Sequence, residues 1–239
     1  MSAQILETET ARPIGRGSLE VSGNLEYQAS GEGSEAAVPF ALEYGVSDRV
    51  ELLVEPVSRT WIRPKQGPKA TGAGDLETTL TYLLSEETRS RPAISLAGEV
   101  KFPTARNSLI GTGYTDFAGY FIMSRLFGRF DTHANLGYTV VGKPSGSSLK
   151  NIFNFALGGE YHWNDRTSAY GELLANTAAS SAPESGAPES ASPEAPTGEV
   201  VGTLGLASYV TPRLRLSGGL SLDNNGAVLL RTGFTVRGF

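Results

Sequence analysis

A serine, a histidine and a carboxylate lie close together in the middle of the chain, on two segments in which apolar and polar residues alternate. If these segments form a hairpin in which Phe127 pairs with Phe130, Ser124 lies opposite His133, and Asp131 lies two residues away on the same face. These are the ingredients of nucleophilic hydrolysis. Asp131 is poorly placed to orient the ring from behind, however, and no oxyanion donor is evident. A hydrolase is therefore the least favoured function.

The two histidines of the chain, His133 and His162, are expected on neighbouring strands and near one another. Two histidines without a defined third ligand are a weak metal signal. The short sequence Gly111-Thr112-Gly113 precedes no predicted helix, so it indicates a turn rather than a nucleotide-binding loop. The sequence therefore predicts no metal and no cofactor.

Charged residues form the most extensive chemical pattern, because they alternate with apolar residues along several segments and would face a common interior. Toward one end of these segments lie Asp75, Glu77, Glu99, Lys101, Asp116 and Glu199, with Arg231 as a cation that could reach across. The remaining residues predicted to line the interior, most of them toward the other end, are Glu43, Glu51, Glu55, His133, Glu160, His162, Glu172, Arg213 and Arg215. They could form a charged constriction that selects ions. Alternatively, they pair and satisfy one another across a narrow lumen, which is common when signs are mixed at one height.

Residues 114–141 show the kind of element that positions these side chains. Two alternating runs flank the turn Phe127-Gly128-Arg129-Phe130. Each run has about a dozen residues, or roughly 40 Å at the usual rise per residue, which is long for a soluble sandwich but sufficient to cross a bilayer when tilted. One apolar face and one small or polar face suit a strand with lipid outside and water inside.

The same alternation predicts twelve strands over the whole chain. They span about 17–29, 35–46, 49–62, 74–84, 92–102, two within 114–141, 149–163, 166–177, 199–210, 213–223 and a last strand that ends at Phe239. The strand at 166–177 has the weakest outer face, formed by Ala169, Gly171, Leu173 and Ala175. The connections after even-numbered strands are short, whereas those after odd-numbered strands include the long, Gly- and Pro-rich ones. This alternation with an even strand count is typical of bacterial outer-membrane barrels, in which the short turns are periplasmic.

Composition fits a single barrel domain. The chain has 239 residues with 29 glycines, 39% hydrophobic residues and no cysteine, and its net charge of −5 argues against a nucleic-acid partner. No run approaches the roughly 20 apolar residues of a spanning helix. Residues 1–16 are predicted to be an N-terminal periplasmic arm of the mature form, and residues 17–239 the barrel. Pro-Glu pairs recur among Ala and Ser at about 177–198, which predicts a disordered external loop.

Aromatic residues give two further expectations. Trp61, Trp163, Tyr138 and Tyr161 are predicted to lie at the membrane interfaces. Phe239 is predicted to be a terminal signal for the barrel assembly machinery, provided that a bulge at Gly238 brings it into the outward phase of the last strand.

Several strand patterns resemble a known family. Residues 74–76 (GDL), 101–104 (KFPT), 111–117 (GTGYTDF) and 134–138 (ANLGY) are similar to the outer-membrane family of phenol-degradation meta-pathway transporter-like proteins. The resemblance implies a barrel of about twelve strands, a transport role and no catalytic residues. The Pro-Glu repeat does not belong to the family pattern.

The sequence thus predicts an all-β protein, namely a single antiparallel up-and-down transmembrane β-barrel in the bacterial outer membrane. The predicted function is that of a monomeric, porin-like channel or transporter for small solutes through a narrow, polar, net acidic lumen. Its expected partners are outer-membrane lipid, the barrel assembly machinery and a small solute. The alternative is a structural or surface-interaction barrel that acts through its external loops, and the third candidate is a lipase-like hydrolase that uses Ser124 and His133.

Overall fold

The computed structural model describes residues 7–179 and 198–238, and in this part of the chain the structure is all-β. No helix among these residues is long and apolar enough to cross a membrane. The strands are β1 (Leu19–Ala29), β2 (Gly33–Ser47), β3 (Val50–Pro64), β4 (Ala70–Gly72), β5 (Leu76–Ser85), β6 (Ala93–Phe102), β7 (Asp116–Phe127), β8 (Phe130–Val140), β9 (Ile152–His162), β10 (Thr167–Asn176), β11 (Glu199–Tyr209), β12 (Leu214–Asp223) and β13 (Val228–Arg237).

All of these strands except β4 form one closed antiparallel ring. Each pairs with the next one around the ring, and β1 pairs with β13 to complete it. The predicted twelve-stranded up-and-down barrel is confirmed. The three-residue β4 pairs only with Thr60–Ile62 of β3. It was not predicted, because so short a segment shows no alternation that can be distinguished from a loop.

Side chains alternate between the two faces as the sequence indicates. Leu204 is 74% exposed and Phe153 63% exposed on the outer face, whereas Ser95 on the inner face is fully buried. Strand β10 follows the predicted phase, since Leu173 is exposed and its neighbour Glu172 is buried. An exposed apolar exterior around a polar interior is the arrangement required by a barrel surrounded by lipid.

The hairpin β7–β8 has the predicted register. Phe127 pairs with Phe130, and Ser124 pairs with His133. Gly128 in the turn has a φ of 63°, a left-handed conformation that a glycine adopts without a Cβ clash. The hairpin therefore projects Ser124 and His133 side by side into the lumen.

The N-terminal arm lies inside the barrel, which corrects the prediction of a periplasmic arm. Residues 7–16 run among inward-facing side chains, and Ala11 is fully buried. Ala11 packs in a small apolar core whose other members come from β5, β6 and β7: Leu83, Ala93, Ala97 and Ile122. Sequence composition could not reveal this position, because Thr and Glu side chains suit a polar lumen as well as they suit bulk water.

Some predictions fall on residues outside the described ranges. These are the Pro-Glu segment from 180 to 197 and the terminal signal at Phe239. At the near edge of the Pro-Glu segment, the carbonyl of Ala179 accepts a hydrogen bond of 2.6 Å from Lys150 N, and Ala179 is buried.

Candidate functional site

The external half of the lumen contains an open chamber of about 210 Å³. Its floor includes Tyr120, whose ring lies against Gly137 of the neighbouring strand. The polar residues around it include the following side chains from strands β5, β6, β7, β9, β10 and β11: Glu77, Glu99, Lys101, Asp116, Asn154, Asn176 and Glu199. Five of the six residues predicted at this end thus meet around one cavity.

Acidic side chains outnumber basic ones around this chamber. Lys101 and Asp116 pair directly across β6 and β7 and form an ion pair. Glu99 of β6 pairs with Thr79 of β5, and the hydroxyls of Tyr120 and Thr79 lie near its carboxylate. The chamber is lined by four acidic side chains and one lysine.

Two residues of the predicted external group have other positions. Asp75 accepts a hydrogen bond of 2.9 Å from Ala105 N in the β6–β7 loop, so it holds that loop and does not line the chamber. Arg231 does not reach across to the mouth. It binds Glu26 at 2.7 Å and Glu7 of the arm at 2.6 Å, lower in the lumen.

The arm fills the lumen below the chamber. Ser95 Oγ donates a hydrogen bond of 2.7 Å to the carbonyl of Ala11. The carboxylate of Glu51 accepts from Ile14 N at 2.6 Å, and Glu172 accepts from Thr8 N at 2.5 Å. Ala11 and Ser95 have no exposed surface, so the arm and the wall are in close contact at this level.

Ser124 and His133 form the predicted pair, with 2.8 Å between Ser124 Oγ and His133 Nδ1. Ser124 is 1% exposed, however, and its Oγ also accepts a hydrogen bond of 2.8 Å from Ala11 N. Asp131 lies 3.9 Å from His133 Nε2, and its two oxygens bind the Arg12 guanidinium at 2.9 and 3.0 Å. The arm therefore covers the nucleophile, and in this arrangement Ser124, which is also bonded to His133, holds a peptide segment.

The remaining predicted lumen charges are paired in most cases. Arg215 forms an ion pair with Glu160 and also bonds Ser168 at 2.8 Å. Glu160 lies 3.6 Å from His162, which is at the periplasmic end of β9. Glu43 is only 3% exposed and lies opposite Glu20 of β1, and Glu55 is on the same inward phase of β3 as Glu51.

The predicted positions of Arg213 and of the two histidines differ from those in the structure. Arg213 precedes β12 and is exposed in a periplasmic turn, so it lies at the rim and not in the lumen. The two histidines are not adjacent, because His133 pairs with Gly158, four residues from His162 along β9. No group of three metal-ligating side chains occurs among the described residues.

The four aromatic residues lie near strand ends. Tyr138, Tyr161 and Trp163 are between 41% and 49% exposed on the outer face. Trp61 is half-buried, with the Arg59 guanidinium 5.9 Å from its ring centre. Their contact with the membrane interface remains a prediction.

Sequence reasoning missed the residues that recognise the arm. Ser95 and Asn135 carry neutral polar groups, and only their inward phase distinguishes them from other small polar residues. Arg12 and the arm itself gave no periodic signal. Their role follows from contacts between residues that are far apart in the sequence, which a local pattern does not contain.

The closed ring of twelve antiparallel strands, with an apolar exterior and a charged lumen, defines the class of protein as an outer-membrane β-barrel of the channel and porin type. The chain belongs to the family described as "Putative MetA-pathway of phenol degradation", whose model matches residues 10–198. Comparison with curated protein sequences finds no match.

Solved structures share the fold. The COG4313 outer membrane channel from Pseudomonas putida F1 matches with a TM-score of 0.67 and 14% identity over 98% of this chain and 100% of that one. The NanC porin gives a TM-score of 0.63 and 12% identity over 91% and 98% of the two chains. The KdgM porin, in complex with disordered oligogalacturonate, gives 0.60 and 8% over 92% and 99%.

Proposed function

We propose that this protein is an outer-membrane channel for small solutes and that its external chamber favours cationic over anionic ones. The observation that carries the proposal is the chamber itself, in which four carboxylates and one lysine face a cavity of about 210 Å³. Charges of one sign in a low-dielectric channel concentrate the electric field and raise the local concentration of counter-ions.

Glu77 and Glu199 are the two acidic residues of the chamber to which we assign the selectivity. Asp116 forms an ion pair with Lys101, and the Asp75 carboxylate accepts a hydrogen bond from the β6–β7 loop. Glu77 and Glu199 line the cavity from opposite parts of its wall, on β5 and β11. Removing their charges should change ion preference without breaking the Lys101–Asp116 pair.

The proposal includes no catalytic step. Ser124 is the one nucleophile that the sequence places beside a histidine, and its hydroxyl is enclosed by the arm. The fold shared with channels and porins supports passage of solutes.

The test is the reversal potential of the full chain in a planar bilayer under a salt gradient at low ionic strength. We expect the wild-type protein to prefer cations and the double variant Glu77→Gln, Glu199→Gln to lose most of this preference. Glu86→Gln is the matched control, because it removes one carboxylate that is 71% exposed in a periplasmic turn. A reversal potential unchanged by the double variant would contradict the assigned selectivity. Absence of any current from the folded full chain and also from a folded Ala11→Leu variant, whose arm does not fit against the lumen wall, would contradict the channel and favour a barrel that acts through its external loops.

A further inference from the structure

The arm is held in the lumen by side chains of the barrel wall that bind its backbone. In the described part of the chain, residues 7–14 form no backbone-to-backbone hydrogen bond with a strand. The Asn135 amide, in the orientation that satisfies both partners, accepts from Glu9 N at 2.7 Å and donates to Glu9 O at 3.0 Å. The other side-chain contacts to the arm backbone are Glu172 to Thr8 N, Ser124 to Ala11 N, Ser95 to Ala11 O and Glu51 to Ile14 N.

These five wall residues come from five different strands: β3, β6, β7, β8 and β10. Together they present donors and acceptors along the path of an extended chain, in the way that a sheet edge does for an added strand. Backbone N–H and C=O groups occur in every peptide, so these contacts recognise an extended conformation and not a particular sequence.

Sequence requirements come from three positions of the arm. Ala11 has no exposed surface and is surrounded by the apolar core of β5, β6 and β7, which leaves no room for a larger side chain. Arg12 binds Glu87 and Asp131, with bonds between 2.7 and 3.0 Å. At the other end of the arm, Glu7 binds Arg231.

The site does not depend on the arm for its construction. The twelve-stranded ring closes through pairings among its own strands, and the arm joins it through the segment Gly15–Gly17. Gly17 has a φ of 75°, which allows the chain to reverse from the lumen into β1. The strand pairings that close the wall therefore do not include the arm.

We propose that the lumen is a binding site for an extended peptide and that residues 7–16 are its resident, exchangeable ligand. The ligand class is a peptide with a carboxylate, a small residue four positions later and an arginine directly after that residue. A peptide of this kind offered from outside would occupy the same wall contacts when the arm is displaced.

Tethering makes the arm a strong competitor, because a short linker keeps its effective concentration in the millimolar range. The test therefore uses the full-length variant Ala11→Leu, whose own arm does not fit the apolar core. A fluorescent peptide of residues 7–16 is titrated into this protein in detergent micelles, and binding is measured by anisotropy. Retained heat-modifiable gel mobility shows that the barrel has folded.

We expect saturable binding to Ala11→Leu and binding at least about 100-fold weaker to the wild-type protein, whose site is occupied. Peptides with Arg12→Glu or Ala11→Leu should bind at least about tenfold more weakly than the native peptide, because the first repels two carboxylates and the second clashes. If Ala11→Leu does not fold, full-length Arg12→Glu serves as the acceptor.

Absence of binding to a folded acceptor would overturn the proposal. Equal binding of the native and altered peptides, or equal binding to wild type and acceptor, would also overturn it, since that result indicates adsorption to the micelle or outer face. The measurement does not depend on conductance, and the arm contacts described above do not involve Glu77 or Glu199. Failure of this proposal is therefore distinguishable from failure of the proposed channel function.

Discussion

Arg12 is the residue whose removal should most weaken the hold of the barrel on its arm. Its guanidinium makes four hydrogen bonds to two carboxylates, Glu87 and Asp131. The three side chains are partly shielded, with exposures of 24%, 23% and 13%. Hydrogen bonds to charged groups contribute about 1.5–3 kcal/mol when buried, whereas exposed ion pairs contribute about 0–1 kcal/mol. For this intermediate exposure we expect Arg12→Ala to cost the docked arm about 2 kcal/mol in total.

A loss of about 2 kcal/mol lowers the ratio of docked to released arm by about 30-fold. The chain has no cysteine, so Thr10→Cys provides a single thiol at a position that is 8% exposed. If the arm recloses faster than the thiol reacts, the labelling rate with a water-soluble maleimide is proportional to the released fraction. We therefore expect Arg12→Ala to increase the labelling rate of Cys at position 10 by about 30-fold.

The control is Arg16→Ala in the same Thr10→Cys background. Arg16 belongs to the same arm and carries the same charge, but it is exposed. It should leave the labelling rate unchanged. A rate for Arg12→Ala that stays within about threefold of the control would refute the assignment of Arg12 as a latch.

Two further changes test the wall and the loop. A Cβ at Gly137 would meet the Tyr120 ring at 2.5 Å, so Gly137→Val should lower the stability of the barrel by about 1–3 kcal/mol and reduce its heat-unfolding temperature. The control is Gly98→Val, which should leave this temperature unchanged, because a Cβ at Gly98 meets nothing within 4 Å. Equal effects of the two substitutions would show that strand glycines act only through their low strand propensity. Deleting residues 180–196 should preserve heat-modifiable mobility, because their composition cannot build a core. The deletion keeps Ala179, whose carbonyl binds Lys150 N. Loss of the folded band would mean that the deleted segment is needed for folding.

The barrel could be predicted from the sequence because strand alternation is a local signal. Alternate residues of a strand lie on the same face, so an apolar or polar pattern at a spacing of two shows which face each residue occupies. The short turns then determine the register of each hairpin. The Phe127–Phe130 turn accordingly predicted that Ser124 pairs with His133. The chamber carboxylates followed from the same phase, and only Asp75 was misplaced, because it precedes the first residue of β5.

The arm could not be predicted in this way. Its hydrogen bonds join residues such as Ala11 and Ser124, or Thr8 and Glu172, that are 113 and 164 positions apart. The apolar residues Leu83 and Ile122 face inward, where the alternation predicts polar side chains, and they become intelligible only when Ala11 packs against them. Inward apolar residues at one height of a polar lumen were thus the one sequence feature that pointed to a resident segment.

The Ser124–His133 pair illustrates how the enclosed lumen changes the meaning of reactive residues. In an open cleft, a serine hydroxyl bonded to an imidazole is available to a substrate. Inside this barrel the wall carries many polar groups that need hydrogen-bond partners once water is excluded. The arm supplies those partners at Ser95, Ser124 and Asn135. Release of the arm exposes the same groups to water, which satisfies their hydrogen bonds in turn. Docking therefore depends on the free-energy difference between hydrogen bonds to the arm and hydrogen bonds to water. That difference is small for neutral hydrogen bonds, and the charged contacts of Arg12 and Glu7 therefore determine how long the arm stays in place.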